Sequence, residues 1–223
     1  MINRSELVRR HNPVLNSIDK DSPLTVGNGE FAFTADVTGF QSLYDEYDVF
    51  PLCTMSQWGW HTEPSETGLF TLDDVVPTIY TVGERSYSYF SQRHQGNEHI
   101  YDWMRHNPHR LNLARITLLW NGDEVKPDEV TDISQELDLY SGVISSEFRL
   151  YGVRVSVRTV CAYNADSVGF SIESPALGRE LSVGILFPYS SHLISASDWQ
   201  NEDRHNTYIS RCYDGRVVLK RRL

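Results

Sequence analysis

The sequence contains little cysteine. Its three cysteines, Cys53, Cys161 and Cys212, lie far apart and form no CxxC pair. Because thiolate zinc sites and disulfide frameworks need paired or more numerous cysteines, neither kind of structure is expected. Cys161 ends an alternating run of apolar residues, which predicts that it is buried as a small hydrophobic side chain.

Long apolar runs and an excess of positive charge are also missing. No stretch approaches the roughly 18 apolar residues that a membrane helix needs, so no membrane partner is expected. Lys and Arg number 20 against 30 Asp and Glu, which gives a formal net charge of -10. Non-specific nucleic-acid binding depends on Lys and Arg contacts with phosphates, and this balance argues against it.

The start of the chain lacks the pattern of a signal peptide. Residues 1–6 lead into charged side chains instead of an apolar segment. A signal removed beforehand would leave the same start, so a cytoplasmic and a periplasmic location both stay open. At the other end, Arg221–Leu223 still follows the strand pattern, which predicts a fragment of a longer protein.

Aromatic residues are abundant in the 223-residue chain, which holds 12 Tyr and 5 Trp. This composition favours β structure and supports a core of reasonable size. An aromatic face can cover the apolar C–H groups of a sugar while its polar edge stays hydrated. A sugar-contacting surface is therefore one interpretation of the aromatic content.

Strands separated by short turns dominate the pattern. The clearest strand alternates apolar and polar residues from Val153 to Cys161. Further strands are predicted at Tyr80–Phe90, Arg115–Trp120, Val130–Leu139, Ile144–Leu150, Val168–Ser174, Leu181–Phe187, Tyr208–Arg211 and Val217–Lys220. Short turns between such strands are typical of antiparallel sheets. The sequence predicts an all-β, antiparallel two-sheet sandwich with long loops and little helix.

We interpret residues 1–223 as a single β-sandwich domain. Residues 1–21 are a lead-in segment with one short helix at Ser5–Arg10, for which Ser5 is the predicted cap. Residues 22–223 form the sandwich. The polar stretches Glu63–Gly68 and Gln92–Pro108 are predicted to be loops.

The stretch Leu24–Gly39 organises the predicted sandwich. The residues Gly27–Gly29, with the sequence Gly-Asn-Gly, tolerate the backbone conformations of a sharp turn. After this turn, apolar and polar residues alternate through Phe31–Val37 as in a strand with one buried face. The stretch therefore predicts a strand, a tight turn and a second strand.

An aromatic segment around Trp58, Trp60 and His61 is the candidate substrate-binding site. The segment has no clean periodicity. Either it is a partly buried loop that packs on a sheet, or it presents these three side chains to a ligand. The sequence leaves both interpretations open.

A cluster of histidines at positions 94, 99, 106 and 109 invites a metal interpretation. Their spacing matches no zinc signature, and no carboxylate stands at a helical offset from a histidine pair. We therefore expect no metal site. A solvated loop or a contact between domains is the favoured interpretation.

Two stretches together resemble a known family. Leu24–Phe33, with its Gly-Asn-Gly turn, resembles the opening strand and turn of the N-terminal domain of glycoside hydrolases with an (α/α)6 catalytic barrel. These include the maltose-phosphorylase, trehalase-like and α-L-fucosidase-like enzymes. Gln135–Ser146 is similar to their "LDL…G" hairpin, and the resemblance extends over most of residues 22–175. The segment Trp58–His61 does not match the better-known members.

The resemblance implies a β-supersandwich, like that of galactose mutarotase, packed against a helical barrel further along the full protein. In such enzymes the catalytic carboxylates lie mainly in the barrel. The resemblance thus implies a chain without catalytic residues or cofactors, whose partners are a downstream (α/α)6 barrel domain and a carbohydrate substrate. Whether the chain forms a homo-oligomer stays open.

Two other functions compete with this one. The chain is an independent sugar-binding module if its aromatic surface binds sugar unaided. Alternatively, it is a mutarotase-like enzyme in which His61, His94 or His109 pairs with Glu30 or Glu98 as acid and base. Nothing in the spacing selects one pair. Glu30 is more simply a turn residue, and the acidic residues at positions 45, 46 and 48 are more simply a structural loop.

Overall fold

A computed structural model of the chain describes residues 2–62, 74–90 and 92–223. Within these residues there are seventeen strands and two α-helices. The helices are α1 (Arg4–Arg9) and α2 (Glu98–His106). In chain order the strands are β1 (Val14–Leu15), β2 (Leu24–Gly27), β3 (Phe31–Ala35), β4 (Thr54–Ser56), β5 (Trp60–His61), β6 (Thr78–Val82), β7 (Arg85–Tyr89), β8 (His109–Arg110), β9 (Arg115–Trp120), β10 (Asp123–Glu124), β11 (Val130–Asp138), β12 (Val143–Leu150), β13 (Val153–Cys161), β14 (Val168–Glu173), β15 (Leu181–Leu186), β16 (Asn206–Tyr213) and β17 (Arg216–Arg222).

The strands pair into antiparallel sheets. The largest has five strands in the order β1-β11-β12-β13-β14. Two three-stranded sheets have the orders β2-β3-β4 and β10-β9-β15, and three ribbons pair β5 with β8, β6 with β7 and β16 with β17. The prediction of an all-β, sandwich-like fold of antiparallel sheets with little helix is confirmed.

The core lies between the five-stranded sheet and the shorter sheets. Phe33 of β3 and Phe40, just beyond it, are fully buried. Both contact Phe170 of β14, at ring-centroid distances of 5.3 Å and 4.3 Å respectively. Burying a side chain of this size contributes about 1.5–3 kcal/mol. These rings therefore fix β3 and its turn against the large sheet.

The clearest sequence patterns have the predicted burial. Val155, Val157 and Thr159 of β13 are buried, while the residues between them are more exposed. Ile144 and Phe148 of β12 are buried in the same way. Cys161 is only partly buried, because it occupies the last position of its strand. In the region described, no helix is both long and apolar enough to cross a membrane.

The predictions for residues 80–108 were wrong in detail. Tyr80–Phe90, predicted as one strand, is a hairpin of β6 and β7 with a turn at Gly83, whose φ is 62°. Gln92–Pro108, predicted as a loop, contains helix α2. Ile100 is the buried residue of this helix, so the apolar periodicity was too sparse to be detected. The predicted loop Glu63–Gly68 lies outside the described residues.

Two further predictions need correction. Helix α1 begins at Arg4 and is capped by Asn3, whose Oδ1 accepts a hydrogen bond from the Glu6 backbone N–H; Ser5 is inside the helix. In β15, Val183 and Ile185 are exposed although the alternation predicted a buried face. β15 lies at the edge of its three-stranded sheet.

Candidate functional site

The turn between β2 and β3 is built around the side chain of Asn28. Its Oδ1 accepts hydrogen bonds from the backbone N–H groups of Glu30 and Phe31, at 2.9 and 2.8 Å. Its Nδ2 donates to the carbonyl oxygens of Ala162 and Ala165, each at 3.1 Å. Gly29 takes a φ of 93°, which a residue with a Cβ rarely adopts. Asn28 thus shapes its own turn and ties it to the turn between β13 and β14.

The same β13–β14 turn also holds Trp58. The indole Nε1 of Trp58 donates to Oδ2 of Asp166 at 2.6 Å. Even so, 60% of Trp58 is exposed. The hydrogen bond fixes the edge of the ring and leaves its faces accessible. Trp58 is therefore an oriented, exposed aromatic surface.

Trp60 is exposed because the backbone between the two indoles is buried. Gly59 packs so closely that an added Cβ would lie 2.9 Å from Leu113 Cδ2. Its carbonyl oxygen accepts from the Leu111 N–H at 3.0 Å. With the backbone held inward, Trp60 remains 56% exposed. The backbone of this segment thus packs inward while both indoles face solvent.

The ribbon of β5 and β8 separates Trp60 from His61. In the register, Trp60 lies opposite Arg110, and His61 lies opposite His109. Because directly paired residues share a face and successive residues alternate, the two pairs lie on opposite faces of the ribbon. The three predicted site residues therefore do not form one surface. Trp60 belongs with Arg110, and His61 belongs with a set of histidines.

A cleft of about 290 Å³ lies on the Arg110 side of this ribbon, and we call it cleft A. Its lining consists of Gly27, Gly29, Glu30, Phe31, Ala32, Met55, Ser56, Gln57 and Arg110. The side chains of Glu30 and Arg110 are exposed there. Arg110 also donates a hydrogen bond to the Gln57 carbonyl oxygen, which holds its guanidinium beside the cleft. Cleft A thus offers an acceptor carboxylate and a donor guanidinium next to apolar surface.

On the other face of the ribbon, four imidazoles converge. The ring centroids of His61 and His109 lie 5.4 Å apart, and those of His106 and His192 are stacked at 3.7 Å. His109 Nδ1 lies 2.8 Å from the His106 carbonyl oxygen, which only accepts, so Nδ1 carries the proton. No group of three or more His, Cys, Asp or Glu among the described residues is arranged to hold a metal ion.

The histidine cluster predicted from the sequence is assembled only in part. His106 and His109 join it, whereas His94 is exposed in the segment before α2 and His99 lies within α2. The sequence missed His192, which comes from the segment after β15. Its position more than 80 residues from the others gave no local signal.

The acid–base pairs left open by the sequence are not brought together at cleft A. Glu30 lines the cleft on the Arg110 face, and His61 and His109 occupy the opposite face. Glu98 accepts a hydrogen bond from the Gly96 N–H at 2.8 Å. Backbone hydrogen bonds at Glu98 and Gly96 lower the pKa of this carboxyl group. Glu98 therefore supports the beginning of α2.

The acidic segment at positions 45–48 is structural where its contacts are described. Glu46 forms an ion pair with Lys20, and this hydrogen bond raises the pKa of Lys20. Tyr44–Glu46 forms a short 3-10 turn. These contacts agree with the structural interpretation of the segment.

One buried carboxylate was not singled out from the sequence. Asp36 is almost fully buried and accepts hydrogen bonds from Thr38 Oγ1 at 2.5 Å and the Leu43 N–H at 2.6 Å. Burial raises its pKa to about 6, although these hydrogen bonds act in the opposite direction. The sequence Asp-Val-Thr-Gly is a signal for this turn, since Asp bonds the N–H two residues on. Asp36 holds the segment that follows β3 through its hydrogen bonds with Thr38 and Leu43. It lines no part of cleft A.

A scan against protein-family models gave no match, and a search of curated proteins gave no significant match. The fold defines an all-β, sandwich-like protein. The candidate site consists of cleft A and two exposed indoles, of which Trp60 lies opposite Arg110 of the cleft.

Proposed function

We propose that the chain is a non-catalytic, carbohydrate-contacting β-sandwich domain of a glycoside hydrolase. In this proposal it has the galactose-mutarotase-like supersandwich form, supports a downstream (α/α)6 barrel and adds cleft A to the sugar-binding surface. The observation that carries the proposal is the exposure of Trp58 and Trp60, of which Trp60 lies opposite Arg110 of cleft A in the β5–β8 ribbon. The motif order that resembles those enzymes gives it the family context.

The chemistry of the site suits a neutral sugar. A pyranose ring has apolar C–H faces and a rim of hydroxyl groups, so it needs an aromatic face together with donors and acceptors. Covering roughly 100 Å² of apolar surface on Trp60 contributes about 2.5 kcal/mol. Glu30 accepts from a sugar hydroxyl and Arg110 donates to one. Because the two charges are opposite, the cleft imposes no net charge on its ligand.

Exposed apolar strands support the proposed role as a partner to another domain. Val183 and Ile185 on edge strand β15 are 43% and 50% exposed. Ile209 and Val217 on the β16–β17 ribbon are 64% and 56% exposed. Exposed apolar surface of this kind marks contact sites. A barrel domain of the same protein is the partner that the resemblance implies.

Titration calorimetry of the chain tests the sugar contact. The probes are malto-, cello- and xylo-oligosaccharides, and the variants are Trp60→Ala and, as a matched exposed aromatic on another sheet, Tyr213→Ala. We expect one series to bind, with about tenfold or greater weakening in Trp60→Ala, since about 1.4 kcal/mol corresponds to tenfold. Tyr213→Ala should bind like the parent chain. Equal binding by Trp60→Ala would overturn the assignment of the site.

The family context has a separate test. The chain joined to its natural downstream sequence should hydrolyse glycosidic bonds, whereas the chain alone should not. A downstream sequence without a helical repeat would contradict the barrel partner.

An independent sugar-binding module is the second candidate, and it is favoured by the fact that cleft A is formed by this chain alone. The two candidates differ in the affinity of the isolated chain. A module binds as tightly alone as in the longer protein, whereas a domain that completes a shared cleft binds more weakly alone.

A further inference from the structure

A second cleft lies beside cleft A, and we call it cleft B. Its volume is about 360 Å³. Its lining consists of Thr25, Val26, Gly27, Asn28, Leu137, Leu139, Ser141, Gly142, Cys161 and Tyr163. Gly27 lines both clefts, so they meet at the β2–β3 turn. The Gly-Asn-Gly turn thus separates two adjoining depressions of similar size.

The ridge between the clefts carries little side-chain bulk. A Cβ added at Gly29 would meet no atom within 4 Å, so this position faces open space. The Asn28 amide is turned toward Ala162 and Ala165, to which it donates, instead of standing above the turn. An extended ligand therefore meets backbone when it passes from one cleft to the other.

Two exposed aromatic side chains are associated with the β13–β14 turn, which the Asn28 hydrogen bonds tie to the Gly-Asn-Gly turn. Trp58 is anchored to Asp166 in the β13–β14 turn. Tyr163 belongs to the same turn, lines cleft B and is 88% exposed. An aromatic residue at this level of exposure gains no stability from burial. Its ring is therefore accessible to a ligand in cleft B.

The lining of cleft B has the same mixed chemistry as cleft A. Leu137 and Leu139 supply apolar surface, and the hydroxyls of Thr25 and Ser141 supply hydrogen-bonding groups. Small-molecule sites usually have volumes of roughly 300–1,000 Å³. Each cleft alone lies near the lower end of that range, and the two together lie well within it.

We propose that clefts A and B together bind an extended oligosaccharide that crosses the Gly27–Gly29 turn. This inference rests on the proposed sugar-binding function and names its ligand class: a neutral chain of several sugar units. One part of the oligosaccharide lies against Arg110 in cleft A, next to Trp60 on the same face of the β5–β8 ribbon. The part beyond the turn lies against Tyr163 and the leucines of cleft B.

A length series measured by calorimetry tests the inference. The probes are malto-, cello- and xylo-oligosaccharides of two to six units, and the proteins are the parent chain, Tyr163→Ala and the exposed control Tyr213→Ala. In the series that binds, affinity should rise about tenfold or more with length and then level off. Tyr163→Ala should weaken the longest ligand about tenfold and leave the disaccharide unchanged. Because Tyr163 is exposed, this variant is expected to fold normally.

The outcomes separate the two proposals. Affinity that does not change with length, or a Tyr163→Ala variant that binds the longest ligand like the parent chain, overturns the two-cleft inference and leaves sugar binding at cleft A intact. A chain that binds none of the probes overturns the proposed function and this inference together.

Discussion

Asn28 and Ala162 are joined by a hydrogen bond across 134 positions of the chain, from Asn28 Nδ2 to the Ala162 carbonyl oxygen at 3.1 Å. This contact fixes the turn that separates clefts A and B to the turn that carries Tyr163 and Asp166. The ends of β2, β3, β13 and β14 are therefore positioned by one side chain. The candidate site depends on this joint, because it sets the relative position of Trp58 and the β2–β3 turn.

Replacing Asn28 with Ala removes two donated and two accepted hydrogen bonds. Since a hydrogen bond contributes about 1 kcal/mol and part of this region is hydrated, we expect a loss of about 2 kcal/mol in the free energy of unfolding. Urea denaturation measures it. Asn164→Ala, an exposed change in the neighbouring turn, is the control and should be nearly neutral. An unchanged urea midpoint for Asn28→Ala would show that the hydrogen bonds of Asn28 do not stabilise the contact between the two turns.

Gly27→Ala should destabilise the chain because the backbone of β3 is in the way. The new Cβ would lie 2.7 Å from the Phe31 carbonyl oxygen, an atom that cannot move without distorting the strand pair. Overpacking of this kind costs about 1–3 kcal/mol. Gly169→Ala is a matched control, since its nearest contact would be an ordinary 3.7 Å from Val160 Cγ1. If thermal unfolding shows the two variants to be equally stable, the close approach at Gly27 is not real.

Asp36 should titrate near pH 6 in the folded chain. Burial raises its pKa from 3.8 to about 6. Because the folded-state pKa is the higher one, the folded state binds the proton more tightly than the unfolded state. The contribution of Asp36 to the free energy of unfolding is therefore full below about pH 4, and it is lost as the pH rises through 6. Two pKa units correspond to about 3 kcal/mol.

The carboxyl ¹³C chemical shift of Asp36, assigned by its absence in Asp36→Asn, follows this titration directly. A midpoint near 6 supports the buried position of the Asp36 carboxylate. A midpoint at or below 4 would mean that solvent reaches the carboxylate and that the packing around Thr38 and Leu43 is wrong.

The parts of the fold that the sequence predicted are those with local patterns. Strand β13 alternates cleanly over nine residues, and its neighbours pair in sequence order through short turns. Helix α2 escaped prediction because its polar and histidine-rich sequence has a single buried residue, Ile100. The β6–β7 hairpin escaped because nearly all of its residues are exposed, which removes the alternation in burial.

The site was only half predictable for a related reason. Exposed indoles at positions 58 and 60 were one of two interpretations that the sequence left open. Their separation from His61 depends on the pairing of β5 with β8, which are 2 residues each. The groups to which Asn28 and Trp58 donate hydrogen bonds lie more than 100 residues away, so no local pattern reveals them. Cleft B is formed by segments as far apart as Thr25 and Tyr163, so it emerges only from the tertiary structure.

The central claim is that sugar binds where Trp58 and Trp60 are exposed. The most direct measurement is a ¹⁵N–¹H spectrum of the indole N–H groups, of which the five tryptophans provide one each. On titration with the oligosaccharide series that binds in calorimetry, the signal of Trp60 should shift most, followed by that of Trp58. The signals of Trp103, Trp120 and Trp199 should stay in place. Saturating ligand that leaves the Trp58 and Trp60 signals unmoved, or that shifts only the other three, would contradict the account.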